Sequence, residues 1–185
     1  MTNIGLYTTK AVLIFDSEGK RLISKYYNFH SHELQQAQLT AKEKKDFEQN
    51  LGQKLLKAGG EILLYENNLI LFNTISDLTF CLVGVADENE LLLSSILNGF
   101  VEAIGILLRQ NIDKRSVLDN LDLVLLALDE TVDDGIALET DPEIIASRVS
   151  KRGGDTVDMN LATLNEQTII EAYKQAKERF NLSIR

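Results

Sequence analysis

The feature that most constrains the fold is a run of five consecutive apolar residues near the start of the chain. Residues 11–15 read Ala-Val-Leu-Ile-Phe and close a β-rich segment that begins at Leu6. Successive side chains of a strand point to opposite sides of a sheet, so a continuously apolar strand is buried on both faces. The run therefore predicts a strand that lies centrally in a sheet.

A cluster of turn-forming residues follows this run. Residues 16–20 read Asp-Ser-Glu-Gly-Lys and separate the first strand from a second β-rich segment at residues 21–27. Short polar connections of this kind join adjacent antiparallel strands. Residues 28–40 are polar and rich in Gln, His and Ser, which is typical of an exposed loop. The chain is thus predicted to open with a hairpin that leads into a loop.

A second hairpin is predicted in the middle of the chain. Residues 61–66 and 69–75 are both β-rich, and Asn67-Asn68 lies between them. Asparagine tolerates the positive φ of a tight two-residue turn, so the two segments are predicted to pair around it. Residues 78–85 add a fifth strand after another short turn.

The first helix is predicted between these two hairpins. Thr40 and Glu43 have the spacing of a capping box, which marks a helix start. Phe47, Leu51 and Leu55 follow at four-residue spacing and give the helix one apolar face. We predict that this helix ends at Gly59-Gly60, because glycine commonly terminates helices.

The second half of the chain has helical periodicity. Apolar residues recur every three or four positions over residues 91–108 and again over residues 116–134, and Asp141-Pro142 reads as the start of a short helix through Val149. The element order predicts an α+β domain over residues 1–150, with helices covering a sheet. Residues 151–185 are predicted to be a linker and a C-terminal helix.

Composition narrows the classes of partner. The chain has 185 residues and a formal net charge of −9, so its surface repels nucleic-acid backbones and no basic patch offsets this. No secretory signal, lipidation motif or membrane-spanning run is recognised in the sequence. The one cysteine, Cys81, lies in an apolar strand, which suits a reducing compartment. We therefore expect a cytoplasmic protein that reaches membranes through partners.

Residues that could carry enzyme chemistry are sparse. His30 and His32 lie together in the polar loop without further ligands nearby, so a solvated loop is favoured over a metal site. Gly59-Gly60 and Gly153-Gly154 lack the additional glycines and the lysine of a phosphate-binding loop. The sequence therefore predicts neither a catalytic centre nor a cofactor.

Four carboxylates cluster where the helix over residues 116–134 is predicted to end: Asp129, Glu130, Asp133 and Asp134. The helix macrodipole disfavours negative charge at a C-terminal turn, and acids four residues apart repel each other. Three interpretations stay open, namely a solvated helix end, a cation site, and a contact with a basic partner surface. Partner contact is the favoured functional interpretation.

Two further features have a structural and a functional interpretation. Tyr26 and Tyr27 are adjacent in a strand, so one ring should point into the core and the other outward, where it could anchor an interface. The apolar helix over residues 91–108 is favoured as a core helix over a membrane-surface helix, because it lacks the basic residues that anionic lipid selects.

Several strings of residues, taken together, resemble one known family. They are Leu6-Tyr7-Thr8, Lys10-Ala11-Val12-Leu13-Ile14, Lys25-Tyr26-Tyr27, Phe47-Glu48, Glu88-Asn89-Glu90-Leu91, Leu128-Asp129-Glu130, Leu138-Glu139-Thr140-Asp141 and Arg148-Val149. This set is similar to coatomer zeta subunits over about residues 4–150. The Asp-Glu helix ending is shared with clathrin-adaptor small and medium subunits, whereas the N-terminal strings point to zeta. The loop over residues 28–40 looks longer and richer in Gln than the family pattern.

The resemblance implies a longin-like domain of five antiparallel strands with helices on both faces. It also implies constitutive pairing with the large gamma subunit of coatomer, membership of the coat, and recruitment to Golgi membranes by Arf-class GTPases. Family members have neither enzymatic activity nor a cofactor. Our candidate partner contacts are aromatic and charged residues with exposed-looking positions: Tyr7, Tyr26, Tyr27, Phe47, Asp129, Asp133 and Asp134.

Three alternatives remain open from the sequence. A sigma-type clathrin-adaptor subunit would share the fold and bind dileucine cargo signals, although the zeta-like opening strings disfavour it. A longin module of a SNARE or tethering complex would be followed by a heptad helix or a lipidation signal, and neither is recognised. An enzyme would have to combine the acidic cluster with a metal ion.

Overall fold

Five strands build one antiparallel sheet, and their order places the apolar N-terminal strand in its interior. The computed structural model describes residues 7–27 and 40–153. The strands are β1 (Thr9–Asp16), β2 (Arg21–Tyr26), β3 (Ile62–Tyr65), β4 (Asn68–Ile75) and β5 (Leu78–Val85). They pair in the order β2-β1-β5-β4-β3, and every pair is antiparallel. The interior position predicted for β1 is confirmed, with β5 beside it at the centre.

Helices and a short ribbon make up the rest of the described chain. The helices are α1 (Ala41–Leu55), α2 (Glu90–Leu107), α3 (Lys114–Asp119), α4 (Leu121–Thr131) and α5 (Pro142–Gly153). Strands β6 (Val132–Asp133) and β7 (Ile136–Ala137) form a separate two-stranded ribbon between α4 and α5. The predicted α+β class is confirmed, and the ribbon is an addition to the predicted order.

Side chains of β1 alternate between two apolar clusters, one on each face of the sheet. Val12 and Ile14 join a cluster with residues of α2, α3, α4 and α5, whereas Leu13 and Phe15 join a cluster with residues of α1. All four side chains are at most 1% exposed. Burial on this scale contributes about 1.5–3 kcal/mol for each large apolar side chain. Helices therefore cover both faces of the sheet, as in the longin-like fold that the resemblance implies.

Helix α1 begins at the predicted capping box. The Glu43 N–H donates to the Thr40 hydroxyl at 3.3 Å, and the Thr40 N–H donates to the Glu43 carboxylate at 2.7 Å. The helix ends at Leu55, about one turn before the predicted stop at Gly59-Gly60. Tighter hydrogen bonds from the Lys57 and Ala58 N–H groups close its last turn, which explains the earlier end.

The second hairpin forms as predicted, but its turn is displaced by one residue. Glu66 and Asn67 occupy the turn with φ of 48° and 59°, and Tyr65 pairs with Asn68. Asn68 is therefore a strand residue. Its side-chain oxygen accepts a hydrogen bond from Lys10 Nζ at 2.8 Å. This contact joins residues that are distant in sequence, so local turn preferences do not reveal it.

The single helix predicted over residues 116–134 is wrong. Asn120, with φ −122° and ψ 39°, separates α3 from α4, and α4 ends at Thr131. The chain then reverses through Asp134 and Gly135, which both have positive φ. The Gly135 carbonyl accepts hydrogen bonds from the backbone N–H groups of Thr8 and Thr9, each at 3.1 Å. The start of β1 thus holds the ribbon turn where helical periodicity suggested another turn of helix.

Helix α5 starts at the predicted position but is longer than expected. The Glu143 and Ile144 N–H groups donate to Asp141 Oδ1 at 2.9 and 3.1 Å, which confirms Asp141 as the cap. The helix continues to Gly153, so the linker predicted from Ser150 does not begin there. Described residues up to Arg152 belong to one compact unit. Residues 28–39 of the loop predicted over residues 28–40, with His30 and His32, lie outside the described residues, as does the predicted C-terminal helix.

Helix α2 is the one described helix that is long and apolar enough, by length and composition, to cross a membrane. Half of that segment is buried inside the protein. Its buried residues, such as Leu93, Ile96 and Ile104, belong to the apolar cluster on one face of the sheet, and Phe100 packs edge-on against Phe80 of β5. The predicted role as the core helix is therefore confirmed.

Candidate partner interface

Six of the seven candidate contact residues fall on two sides of the sheet, and the seventh, Tyr7, lies two residues before β1. Tyr27 joins the apolar cluster of the α2 face, whereas Tyr26 packs against the cluster of the α1 face. The alternation predicted for this pair is therefore present, although the inward ring is Tyr27 and Tyr26 is itself half-buried. Tyr27, Asp129, Asp133 and Asp134 meet on one side, and Tyr26 and Phe47 meet on the other.

The side chains of Lys25 and Tyr27, at the end of β2, contact the end of α4 and the residue that follows it. Lys25 Nζ lies 2.5 Å from Asp129 Oδ1 and 5.1 Å from the centre of the Tyr27 ring. The Tyr27 hydroxyl donates to the Val132 carbonyl at 3.3 Å. Burial, together with the nearby carboxylates of Asp129 and Asp133, raises the pKa of Tyr27. Tyr27 is thus a neutral, buried support for the acidic side chains around it.

Asp133 and Asp134 are displayed on the β6-β7 turn. Both are exposed, and neither forms an ion pair within residues 7–27 and 40–153. The turn is held by the two hydrogen bonds from Thr8 and Thr9 to Gly135, and Tyr7 immediately precedes this anchor. Asp129, Asp133 and Asp134 are hereafter called the acidic surface. Backbone hydrogen bonds fix the turn that carries Asp133 and Asp134. A partner could therefore contact these two carboxylates without any rearrangement of the turn.

The acidic surface differs from the cluster that the sequence predicts. Asp133 and Asp134 lie just beyond α4, on the β6-β7 turn, and not within its last helical turn as predicted. Within the described residues, no three His, Cys, Asp or Glu side chains are grouped closely enough to hold a metal ion. Asp133 and Asp134 are exposed, as both a solvated turn and a partner contact require.

Glu130, the fourth member of the predicted cluster, is buried. Its Oε1 lies 2.6 Å from Arg152, and its Oε2 lies 3.6 Å from Arg148. Both arginines belong to α5, so the carboxylate fixes that helix to α4. A carboxylate removed from water is tolerated when it is paired in this way. Glu130 therefore has a structural role, and sequence proximity alone grouped it with the exposed acids.

Tyr26 and Phe47 lie on the α1 side. The Tyr26 hydroxyl donates to Glu48 Oε1 at 3.1 Å, Arg21 donates to Glu48 Oε2 at 2.9 Å, and Lys44 lies 4.6 Å above the Tyr26 ring. Burial, and then the Glu48 charge, raise the pKa of Tyr26. Phe47 is 8% exposed and stacks on Tyr65 with ring centres 5.7 Å apart. Phe47 thus offers little surface to a partner, because the spacing that suggested it belongs to the core face of α1.

A polar cleft of about 490 Å³ lies beside Tyr26 and Phe47. Its lining includes Lys10 and the carboxylates of Glu43, Asp46 and Glu66. Burial lowers the pKa of Lys10, whose ammonium already donates to Asn68. Glu43 is likewise used by the α1 cap, so these two polar groups of the cleft are committed to the fold.

Sequence reasoning missed the most exposed apolar side chains. Leu91 at the start of α2 is 78% exposed, and Leu64 and Ile62 on β3 are 66% and 55% exposed. An isolated exposed leucine is ordinary, but two such residues on one edge strand are not. The hairpin register in the sequence places Ile62 and Leu64 on the same face of β3, but only the strand order shows that β3 is an end strand.

Known proteins match the chain along most of its length. The clathrin adaptor complex small chain family matches residues 8–175. Coatomer subunit zeta-1 of Oryza sativa subsp. japonica is 40% identical over 181 residues, which cover 96% of both chains. Coatomer subunit zeta-1 of Homo sapiens is 37% identical, covering 97% of this chain and 94% of the relative, and coatomer subunit zeta of Saccharomyces cerevisiae is 38% identical, covering 97% and 96%.

A comparison with solved structures supports the fold described above. A chain in a homology model of the full-length AP-3 complex in a stretched open conformation matches with a TM-score of 0.59 and 17% identity. The match covers 80% of this chain and 94% of that one, and at this identity it bears on the fold alone. The family match and the relatives identify a coat small subunit: the chain belongs to the clathrin adaptor complex small chain family, on its coatomer zeta branch.

Proposed function

We propose that this chain is the non-catalytic small subunit of a coatomer vesicle coat and that it pairs with the large gamma subunit. The observation that carries the proposal is the 37–40% identity to coatomer zeta subunits over nearly the whole chain. In this role the protein works in the cytoplasm, in Golgi-to-ER and intra-Golgi transport, on membranes to which Arf-class GTPases recruit the coat. It needs no cofactor.

The acidic surface is the proposed contact with the gamma subunit. Asp133 and Asp134 are exposed and unpaired among the described residues, and the two backbone bonds to Gly135 fix their turn. A basic patch on a partner would recover the solvation that these carboxylates lose on burial. Tyr27 supports the ribbon through its hydrogen bond to the Val132 carbonyl, and Tyr7 precedes the two residues that bond Gly135. Such a contact fits a chain whose net charge is −9.

Membrane attachment is proposed to arise through the assembled coat. Stable protein pairs bury about 1,600 Å² in total, which a domain of this size can supply. Many weak contacts acting together then give avidity without a lipid site on this subunit. The exposed carboxylates of the acidic surface would repel anionic lipid, so that surface suits a protein partner better than a membrane.

The test is co-expression with the N-terminal solenoid of coatomer gamma, followed by size-exclusion chromatography with light scattering. We expect a one-to-one complex. Asp133→Lys/Asp134→Lys should weaken it about tenfold or more, because two attractive contacts become repulsive. The matched control is Asp46→Lys/Glu102→Lys, which changes the same total charge at exposed positions of α1 and α2.

Two outcomes would contradict the proposal. Retention by a clathrin-adaptor large subunit in place of gamma would support the sigma-type alternative. Equal weakening by both double variants would keep the pairing but remove the acidic surface as its site, since total charge would then explain the loss.

A further inference from the structure

The outer edge of β3 presents two apolar side chains to solvent. Ile62 and Leu64 are 55% and 66% exposed, and they face the same side of the sheet as their buried cross-strand neighbours Leu71 and Leu69. The apolar surface of the main core thus continues past the helices into solvent at this edge. An exposed apolar edge strand is a template for pairing with another chain.

The same two residues carry the unpaired backbone groups of the edge. The Phe72 N–H donates to the Glu61 carbonyl at 2.9 Å, so Glu61 faces β4. Backbone groups alternate in direction along a strand, so the N–H and C=O groups of Leu63 and Tyr65 point toward β4. The N–H and C=O groups of Ile62 and Leu64 therefore point away from the sheet. In the described residues, no hydrogen bond outside the strand ladder uses these outward groups.

The opposite face of β3 is held firmly. Tyr65 stacks on Phe47 of α1, and Lys54 of α1 lies 4.0 Å above the Tyr65 ring. Leu63 packs against the same cluster. The strand is therefore anchored on one face and open on the other, so an incoming segment would find its template already formed. Preorganisation of this kind lowers the entropic cost of binding.

We propose that β3 accepts an extended segment of a partner chain as an added edge strand, and that this segment carries alternating apolar side chains flanked by Lys or Arg. Exposed Glu61 and Glu66 bracket the strand, which favours positive charge at the ends of the segment. Of the nearby lysines, Lys54 lies over the Tyr65 ring on the other face of β3, and Lys57 belongs to the turn after α1. This surface goes beyond the proposed pairing with gamma through the acidic surface.

The charges also disfavour a second copy of this chain as the occupant. Two antiparallel β3 strands could exchange backbone bonds between Ile62 and Leu64. Such a pair would bring four glutamates together at its ends, because each strand carries Glu61 and Glu66. Like charges close together at a protein interface are unfavourable, and both copies carry a net charge of −9. A basic-flanked segment meets neither obstacle.

The probe is a fluorescein-labelled peptide with the sequence Lys-Lys-Val-Thr-Val-Thr-Val-Lys-Lys, titrated onto the full chain alone. We expect saturable binding that weakens as salt rises, because the flanking charges are screened. The same peptide with Glu in place of every Lys should bind at least about tenfold more weakly. Amide hydrogen exchange should show new protection at Ile62 and Leu64, where the outward N–H groups become bonded.

Two matched variants locate the site. Leu64→Lys should weaken the Lys-flanked peptide about tenfold or more, since it removes an apolar contact and adds a repulsive charge. Leu91→Lys makes the same replacement at an exposed leucine on α2 and should leave binding within about twofold. Both positions are exposed, so both variants should keep the thermal unfolding midpoint of the parent chain.

Equal binding by the Leu64→Lys and Leu91→Lys variants would overturn the site, as would hydrogen-exchange protection elsewhere. Equal binding of the Glu-flanked peptide would overturn the basic partner. A parent chain that dimerises, while the Leu64→Lys variant is monomeric, would show that a second copy is the occupant. All these measurements omit gamma, so they are independent of the proposed function.

Discussion

The two edge strands of the sheet meet solvent in opposite ways. At the β2 edge, Arg21 and Lys25 are charged and paired with Glu48 of α1 and Asp129 of α4. At the β3 edge, the outward side chains are Ile62 and Leu64, and they have no such cover. Both edges belong to the same antiparallel sheet. The difference shows that one edge is closed by charge and helices while the other is left able to pair.

Close packing accompanies charge at the closed edge. Gly52 of α1 touches Gly19 in the β1-β2 turn, so that a Cβ at Gly52 would lie 2.1 Å from the Gly19 carbonyl oxygen. Near β3, a Cβ at Gly59 would meet nothing within 4 Å. An added side chain at Gly52 on the β2 side would therefore clash with the backbone, whereas one at Gly59 near β3 would enter open space.

The largest expected effect is at Asp16, the last residue of β1. Its carboxylate is 4% exposed and accepts hydrogen bonds from Lys114 Nζ at 2.8 Å and from the Lys20 and Glu18 N–H groups at 2.9 and 3.0 Å. Asp16→Ala should lower the free energy of unfolding by about 3 kcal/mol, because it removes the buried acceptor that three part-buried donors share. Urea unfolding at pH 7 measures this loss.

The Asp16 effect should depend on pH. Burial by itself raises the pKa of this carboxyl, but the bonds from Lys114, Lys20 and Glu18 outweigh it and lower the pKa below its ordinary value. A lowered native pKa stabilises the fold above the unfolded pKa of about 3.9, and this contribution is lost as pH falls further. The gap between parent and Asp16→Ala should therefore shrink below pH 4. Exposed Asp119→Ala is the control, and an unchanging gap would contradict the assignment.

The next largest effect is expected at the Gly52 contact. Gly52→Ala forces the helix and the β1-β2 turn apart, at a cost of about 3 kcal/mol, while alanine regains about 1 kcal/mol of helix propensity. The net loss in the free energy of unfolding should be about 2 kcal/mol. Chemical denaturation measures it directly.

Gly59→Ala is the matched control for that substitution. It makes the same change on the open side, where nothing lies within 4 Å, so stability should change by less than about 0.5 kcal/mol. Similar losses in the two variants would mean that the two sides of the sheet do not differ in packing.

Much of the fold, although not this contrast between its edges, could be predicted from the sequence. The apolar run in β1 predicts burial on both faces, and the capping box at Thr40 predicts the start of α1, because each depends on residues close together in the chain. The turn at Asn67-Asn68 and the end of the helix predicted over residues 116–134 were predicted wrongly, because Asn68 bonds Lys10 and Gly135 bonds Thr8 and Thr9, and no local pattern contains these contacts. The same limit explains why acids adjacent in sequence, Glu130 and Asp129, have different environments.

The exposure of β3 also exceeds what the sequence predicts. The segment Ile-Leu-Leu-Tyr has the composition of a buried strand, and its position at the sheet edge follows from pairing order. Exposure of Ile62 and Leu64 further requires that the helices stop short of this edge. Apolar composition indicates that a segment pairs and packs, but it does not distinguish core from an unfilled interface.

The smallest expected effect concerns the Arg21–Glu48 pair at the β2 edge. Glu48 is 4% exposed, while the Arg21 side chain is 48% exposed. Arg21→Met should lower the free energy of unfolding by about 1 kcal/mol, between the values for exposed and buried pairs, because Tyr26 still donates to the carboxylate. Arg21→Met/Glu48→Met should recover most of this loss, since no buried charge then remains.

A double-mutant cycle followed by denaturation gives the coupling between the two side chains, and Lys20→Met, in a fully exposed pair with Glu18, is the control. If the double variant were less stable than Arg21→Met, the pair would contribute net stability to the closed edge. If it is as stable as the parent, the charges at β2 keep other strands away at no gain in folding stability, which is the property that β3 lacks.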